Sequence, residues 1–210
     1  MSQHSTHHTA GRSAAAVALA IVAALVLSAC TPASQATPDA AAVTENPQQR
    51  AEMMADYGLA GLDAQQVIDK LDALTLVNRP STLMASVRPH ELLLTDDQQR
   101  EVALAIPEDT FYVSIAPYID QTHDCYFHSL TTCTGEIQNS AVHVLATDSA
   151  SGETLIDEPR TTFDNGFVGL WLPRGRDVTV TIEYEGRSAT SDLSTSNEDD
   201  ATCVTTMQLA

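Results

Sequence analysis

Apolar positions along the chain follow two periods, and the change falls near residue 108. In the first stretch the spacing is helical. Asp63 with Gln66 three residues on has the form of a capping box. Val67, Leu71 and Leu74 then recur on one face, with Ile68 widening the stripe. Arg79-Pro80 ends that helix, and Leu83 to Val87 runs up to a break at Arg88-Pro89. Thr95 stands as the cap of a further helix from Asp96 to about Ala105, with acids in its first turn. Met53 and Met54 read as packing residues. From Phe111 the period becomes two. Phe111 to Ile115, Ala141 to Leu145, Thr154 to Ile156, Phe167 to Leu172 and Thr202 to Leu209 read as strands. Val178, Val180, Ile182 and Tyr184 alternate with Thr179, Thr181, Glu183 and Glu185 in the cleanest half-buried strand. Turn signals separate them at Asp148 to Gly152, Asp164-Asn165-Gly166 and Glu185-Gly186. The prediction is an α+β chain: a small N-terminal helical region, residues 49–107, followed by an antiparallel β-sandwich-like domain, residues 108–210.

Ahead of both lies a different composition. Arg12 precedes fourteen apolar or small residues, Ala14 to Leu27, which is the length of a signal-peptide core and too short to span a bilayer. The run ends in Leu27-Ser28-Ala29-Cys30, the form of a bacterial lipobox, so residues 1–29 read as a signal peptide and Cys30 as the lipidated residue. Residues 30–48, rich in Thr, Pro, Ala, Ser and Gln, read as a flexible tether. The expected location is the outer face of the bacterial cell membrane, held by lipid alone. A formal net charge of -18 argues against nucleic acid and anionic headgroups as partners and is compatible with cations.

Cysteine and histidine usage narrows the chemistry. Of four Cys, Cys30 is assigned to lipid, which leaves Cys125, Cys133 and Cys203, an odd number for an oxidising compartment. His123, His128 and His143 fall in the same short stretch as Cys125 and Cys133. Thiolate and imidazole are donors that copper(I) favours. In an extended segment His123 and Cys125 face the same way, and His128 is near enough to fold back. Cys203 must arrive from the last strand, with Met207 on the same strand face. His143, flanked by Val142 and Val144 on the opposite face, reads as solvent-facing. The same residues also fit a plain disulfide between Cys125 and Cys133 that pins a loop, a Cys203 that is simply buried, or a zinc site. No Cys-x-x-Cys is present for a thioredoxin-like oxidoreductase, and no motif sets a nucleophile beside a base.

The run from Phe111 to Glu136, FYVSIAPYIDQTHDCYFHSLTTCTGE, with its Cys-x7-Cys spacing and a third Cys at position 203, resembles the CueP family of periplasmic or lipid-anchored copper proteins. The resemblance extends over roughly residues 50–210. It implies copper resistance, copper binding, and reduction of Cu(II) to Cu(I) by Cys125, Cys133 and Cys203, with His123 and His128 as further copper ligands. It implies dimers through the helical half and, in some members, copper delivery to a secreted superoxide dismutase. A dithiol gives two electrons, so such a cupric reductase is stoichiometric unless a thiol reductant partner restores it. The competing reading is a disulfide-stapled β-sandwich that serves as an envelope scaffold or adhesin. Whichever holds, Cys30→Ser is expected to abolish lipidation and release the protein from membranes. A wild-type protein that fractionates as soluble and unmodified contradicts the lipobox.

Overall fold

The computed structural model describes residues 46–210. The signal peptide, the lipobox with Cys30 and the tether up to residue 45 lie outside the described residues.

Helix α1 spans Pro47–Asp56, with Pro47 in its first turn and the Asn46 side chain accepting the Gln48 N–H. Helix α2 spans Ala64–Asp72 and has the expected reciprocal cap. Asp63 accepts from the Gln66 N–H at 2.9 Å, and Gln66 accepts from the Asp63 N–H at 3.1 Å. Three strands follow: β1 (Leu83–Val87), β2 (Glu91–Asp96) and β3 (Glu101–Ala105), antiparallel in the order β1-β2-β3. Their inward residues, Leu83, Ala85, Val87, Leu92, Leu94, Val102 and Leu104, close a core with Met53, Met54, Val67, Ile68 and Leu71.

The helix expected over Asp96 to Ala105 is therefore a tight turn and a strand. Asp96 is buried and binds its own loop: its carboxylate accepts from the Gln98 and Arg100 N–H groups, each at 2.9 Å, and pairs with the Arg100 guanidinium at 2.6 Å. The alternation Val102, Leu104 then matches the pleat and pairs with β2. Ala and Leu are strong helix formers, but pairing along a neighbouring strand overrides so weak a preference.

The remaining strands are β4 (Thr110–Ile115), β5 (Ala141–Asp148), β6 (Thr154–Thr161), β7 (Val168–Pro173), β8 (Asp177–Tyr184), β9 (Arg187–Ser194) and β10 (Cys203–Val204). They form two sheets, β10-β4-β7 and β6-β5-β8-β9. Phe111, Val113, Ile115, Leu170 and Leu172 of the first face Val142, Val144, Val178, Val180 and Ile182 of the second, as in a sandwich. β4 is buried on both faces. Its alternate residue Tyr112 joins the core of helices and β1–β3 instead. The strand expected from Thr202 to Leu209 is reduced to β10, parallel to β4, with a single further bridge at Gln208. β4 ends at Ile115, ahead of Pro117, which has no N–H to extend a ladder.

The turns carry positive φ where the sequence places glycine. Gly152 (φ 74°) and Gly166 (φ 78°) differ in their surroundings. A Cβ at Gly152 meets nothing within 4 Å, whereas one at Gly166 falls 2.5 Å from the Gly135 carbonyl oxygen. Gly152→Ala should cost about 1–2 kcal/mol from backbone strain alone. Gly166→Ala should cost clearly more in the same urea titration, because two backbones must also separate. Equal losses contradict the close crossing.

Candidate metal centre

The site is assembled by a loop laid along the edge of β1. His128 and Leu130 exchange backbone bonds with Val87 (2.8 Å) and Ala85 (2.9 Å). The Thr202 hydroxyl accepts the His128 N–H at 3.0 Å and donates to the Val87 carbonyl at 2.7 Å, tying the start of β10 to the same point. A tight turn from Ser129 to Cys133 follows, in which the Ser129 N–H reaches Cys133 Sγ at 3.4 Å. The donor atoms of Cys125, His128, Cys133 and Cys203 then lie within 4.8 Å of one another.

Two of those sulfurs are bonded. Cys125 and Cys203, with Cα atoms 5.7 Å apart, form a disulfide across 78 residues. This overturns the expectation that Cys125, Cys133 and Cys203 act together as free thiols that reduce Cu(II). A formed disulfide has no thiol electrons to give, and Cys133 is the free cysteine among the described residues. It also replaces the alternative pairing: Cys133 Sγ sits 3.5 Å from Cys125 Sγ, unbonded, while Cys125 reaches the last strand. Spacing along the chain favoured a nearby partner; the fold brings β10 closer.

Behind the sulfurs lies a fully buried ion pair. His128 Nε2 is 3.0 Å from Asp72 Oδ1, and both side chains are sealed from solvent. Asp72 is satisfied on every side. Tyr112 Oη donates at 2.5 Å and Ser114 Oγ at 3.1 Å to one carboxylate oxygen, and Asn165 Nδ2 donates at 2.7 Å to the other. Phe167 covers the imidazole, ring centroids 4.6 Å apart. Burial pushes the His128 pKa down, but the charge and hydrogen bond of Asp72, with a smaller contribution from Cys133, outweigh it and raise it to about 9. Burial likewise holds the Asp72 carboxyl up, and its partners, His128 first, bring it below the usual carboxylate value. Cys133 is also lowered: burial opposes ionisation, and the hydrogen bond and charge of His128, the Ser129 N–H and Arg79 outweigh it. His128 Nδ1 lies 3.8 Å from Cys203 Sγ. A disulfide sulfur is a poor acceptor, so the charge partner of this ring on the sulfur side is Cys133. Arg79 adds a further contact, donating from Nη1 to the Cys133 carbonyl at 2.6 Å.

Of the residues anticipated from sequence, Cys125, Cys133, Cys203 and His128 are brought together. His123 is exposed and stands outside that group. It lines an open cleft of about 540 Å³ shared with Cys133, Thr132 and Glu136, its ring 6.2 Å from Phe167. Met207 packs in the sandwich core with Val204 and Leu209. His143 is half-exposed and pairs with Asp157 at 3.2 Å. Asp72, Asn165 and Arg79 were missed. A signal for Asp72 existed: it lies four residues after Ile68, so a carboxylate falls on the apolar face of α2.

Residues 66–208 match the family described as "Periplasmic copper-binding protein CueP". The chain belongs to the CueP family. A solved structure titled "Crystal Structure of S.CueP" is similar at 37% identity and a TM-score of 0.71, over 77% of this chain and 97% of that one. No curated protein matches the sequence. This CueP-family chain thus combines a metal-capable Cys/His group with a closed disulfide. Among the described residues no helix is long and apolar enough to cross a membrane.

The ion pair sets a pH dependence. A raised His128 pKa stabilises the fold fully below about pH 6.5 and ceases to do so as pH rises through about 9. The lowered Asp72 pKa stabilises above about pH 4 and is lost in more acid solution. Asp72→Asn should therefore be less stable than wild type by about 3–5 kcal/mol near pH 6. The gap should narrow above pH 9 in chemical denaturation; a gap independent of pH contradicts a charged pair.

Proposed function

We propose that the protein is a disulfide-stapled β scaffold, lipid-anchored outside the cytoplasm through Cys30, that binds copper ions at a Cys133–His128 centre. The observation that carries the reading is the free Cys133 thiol in the wall of an open cleft, within 4.8 Å of the His128 nitrogen and the disulfide sulfurs. The Cys125–Cys203 bond supports the scaffold part. It fastens the metal-loop segment to β10, far along the chain, and cross-links of this kind contribute by restricting the unfolded chain.

The donor chemistry supports copper. With the disulfide closed, the strong donors are one thiolate and one imidazole, and His123 on the exposed wall of the cleft adds a second imidazole. Thiolate selects Cu(I), which is content with two or three donors. Structural zinc requires four protein ligands, more than this set provides. Asp72 holds His128 by Nε2 and leaves Nδ1 facing the sulfurs, the orienting role that carboxylates play behind metal-bound histidines. At neutral pH the ion must displace the Nδ1 proton. The lipid anchor and the acidic surface suit capture of cations at the membrane face.

The test is competition with a Cu(I)-specific chromophoric chelator, with the disulfide intact. Cys133→Ser should weaken Cu(I) binding by about a hundredfold, ~2.8 kcal/mol. His123→Ala should weaken it less, and His90→Ala, remote from the cleft, should leave it unchanged. A Cys133→Ser protein that holds Cu(I) as tightly as wild type overturns the proposal. Preference for Zn(II) over Cu(I) overturns its copper assignment.

A further inference from the structure

The cleft beside Cys133 has two walls, and one side chain spans the distance between them. We infer that Glu136 is a positioning residue of this site, holding the segment that carries His123 in place across the cleft from Cys133. The inference rests on the proposed copper site. Glu136 lies three residues after Cys133, on the Cys133 wall. Its Oε2 accepts three successive backbone N–H groups of the other wall: Ile119 at 2.8 Å, Asp120 at 3.0 Å and Gln121 at 3.1 Å. Consecutive N–H groups converging on one oxygen make an anion nest, and here a carboxylate of the same chain fills it. Such bonds to an ionised acceptor are roughly twice as strong as neutral ones.

Only Thr122 separates this clamp from His123, and its hydroxyl donates to the Thr205 carbonyl at 2.5 Å. His123 then meets Phe167, whose ring also covers His128. The Cys133 wall is pinned in turn, because the Gly135 N–H donates to the Asn165 carbonyl at 2.6 Å. The base of Glu136 is thus fixed, and its carboxylate sets where the His123 arm begins.

A loop staple with no bearing on the site predicts a different outcome from a positioning residue, and a double-mutant cycle separates them. Cu(I) affinity is measured by chelator competition for wild type, Glu136→Ala, His123→Ala and the double variant, with Glu136→Gln as the milder change. NMR of the metal-free proteins follows the His123 ring protons, which feel the Phe167 ring. Glu136→Ala should weaken Cu(I) binding about tenfold. Glu136→Gln, which keeps one acceptor oxygen, should weaken it less. The double variant should bind no more weakly than His123→Ala, because Glu136 acts through His123. The His123 ring shift should move toward its free value in Glu136→Ala. Losses that multiply in the double variant, wild-type affinity in Glu136→Ala, or an unmoved His123 shift overturn the inference. Should wild type bind no Cu(I), the copper reading falls, while the metal-free His123 shift still decides whether Glu136 sets the arm.

Discussion

The buried pair between Asp72 and His128 is the constraint on which the rest of the centre depends. Two charges removed from water are costly, and they are tolerated only when geometry is good and the remaining lone pairs are satisfied. Asp72 meets that condition with donors from four directions: His128 in the metal loop, Tyr112 and Ser114 on β4, and Asn165 in the turn before β7. Together they fix three segments, the metal loop, β4 and the turn before β7, against the end of α2. The N-terminal helices and the sandwich are therefore joined at a polar point in an otherwise apolar contact, and that point orients the imidazole. Each carboxylate oxygen has two partners, Tyr112 and Ser114 on one and His128 and Asn165 on the other, so the donors share the satisfaction of one buried charge.

The disulfide determines what this oriented imidazole can work with. With Cys125 and Cys203 bonded, the chemistry of the cluster passes to Cys133, whose thiol is held low by His128 and Arg79 and which opens onto the cleft. The three-thiol reductase suggested by family resemblance does not fit this state. A closed disulfide with one free thiol beside the buried His128 does. The four donor atoms stay close because the loop is held by backbone bonds to β1 on one side and by Thr202 on the other. The site is thus a loop held against strands, with Cys203 supplied by β10 and His123 outside the four-residue group.

β4 explains how so short a chain supports both a sandwich and a second layer made of the two helices and the β1–β3 sheet. Its odd and even residues enter different cores, Phe111, Val113 and Ile115 on one side and Tyr112 with Ser114 on the other. A strand buried on both faces shows no clean alternation of apolar and polar residues, and FYVSI reads as continuous for that reason. The same strand opens the run Phe111 to Glu136 that carries the family resemblance.

Sequence alone determined whatever depends on local period and local chemistry. The capping box of α2, the glycine turns and the alternation of β8 follow from neighbours a few residues apart, and each is found; of the Cys and His gathered between 123 and 143, Cys125, His128 and Cys133 come together while His123 and His143 do not. The run Asp96–Ala105 was misread because helix preference is weak and the pairing of β3 with β2 is a longer-range term that prevails. The final strand was overextended because alternation does not show where its partner stops. Which sulfurs bond, which histidine is buried and which acid stands behind it were decided only by tertiary structure. Cys125 and Cys203 are 78 residues apart, and Asp72 and His128 are 56. Nothing in a sequence pattern reports the distance between residues so far separated. The fold sets it, by requiring that buried charges find partners and that β4 be covered on both sides.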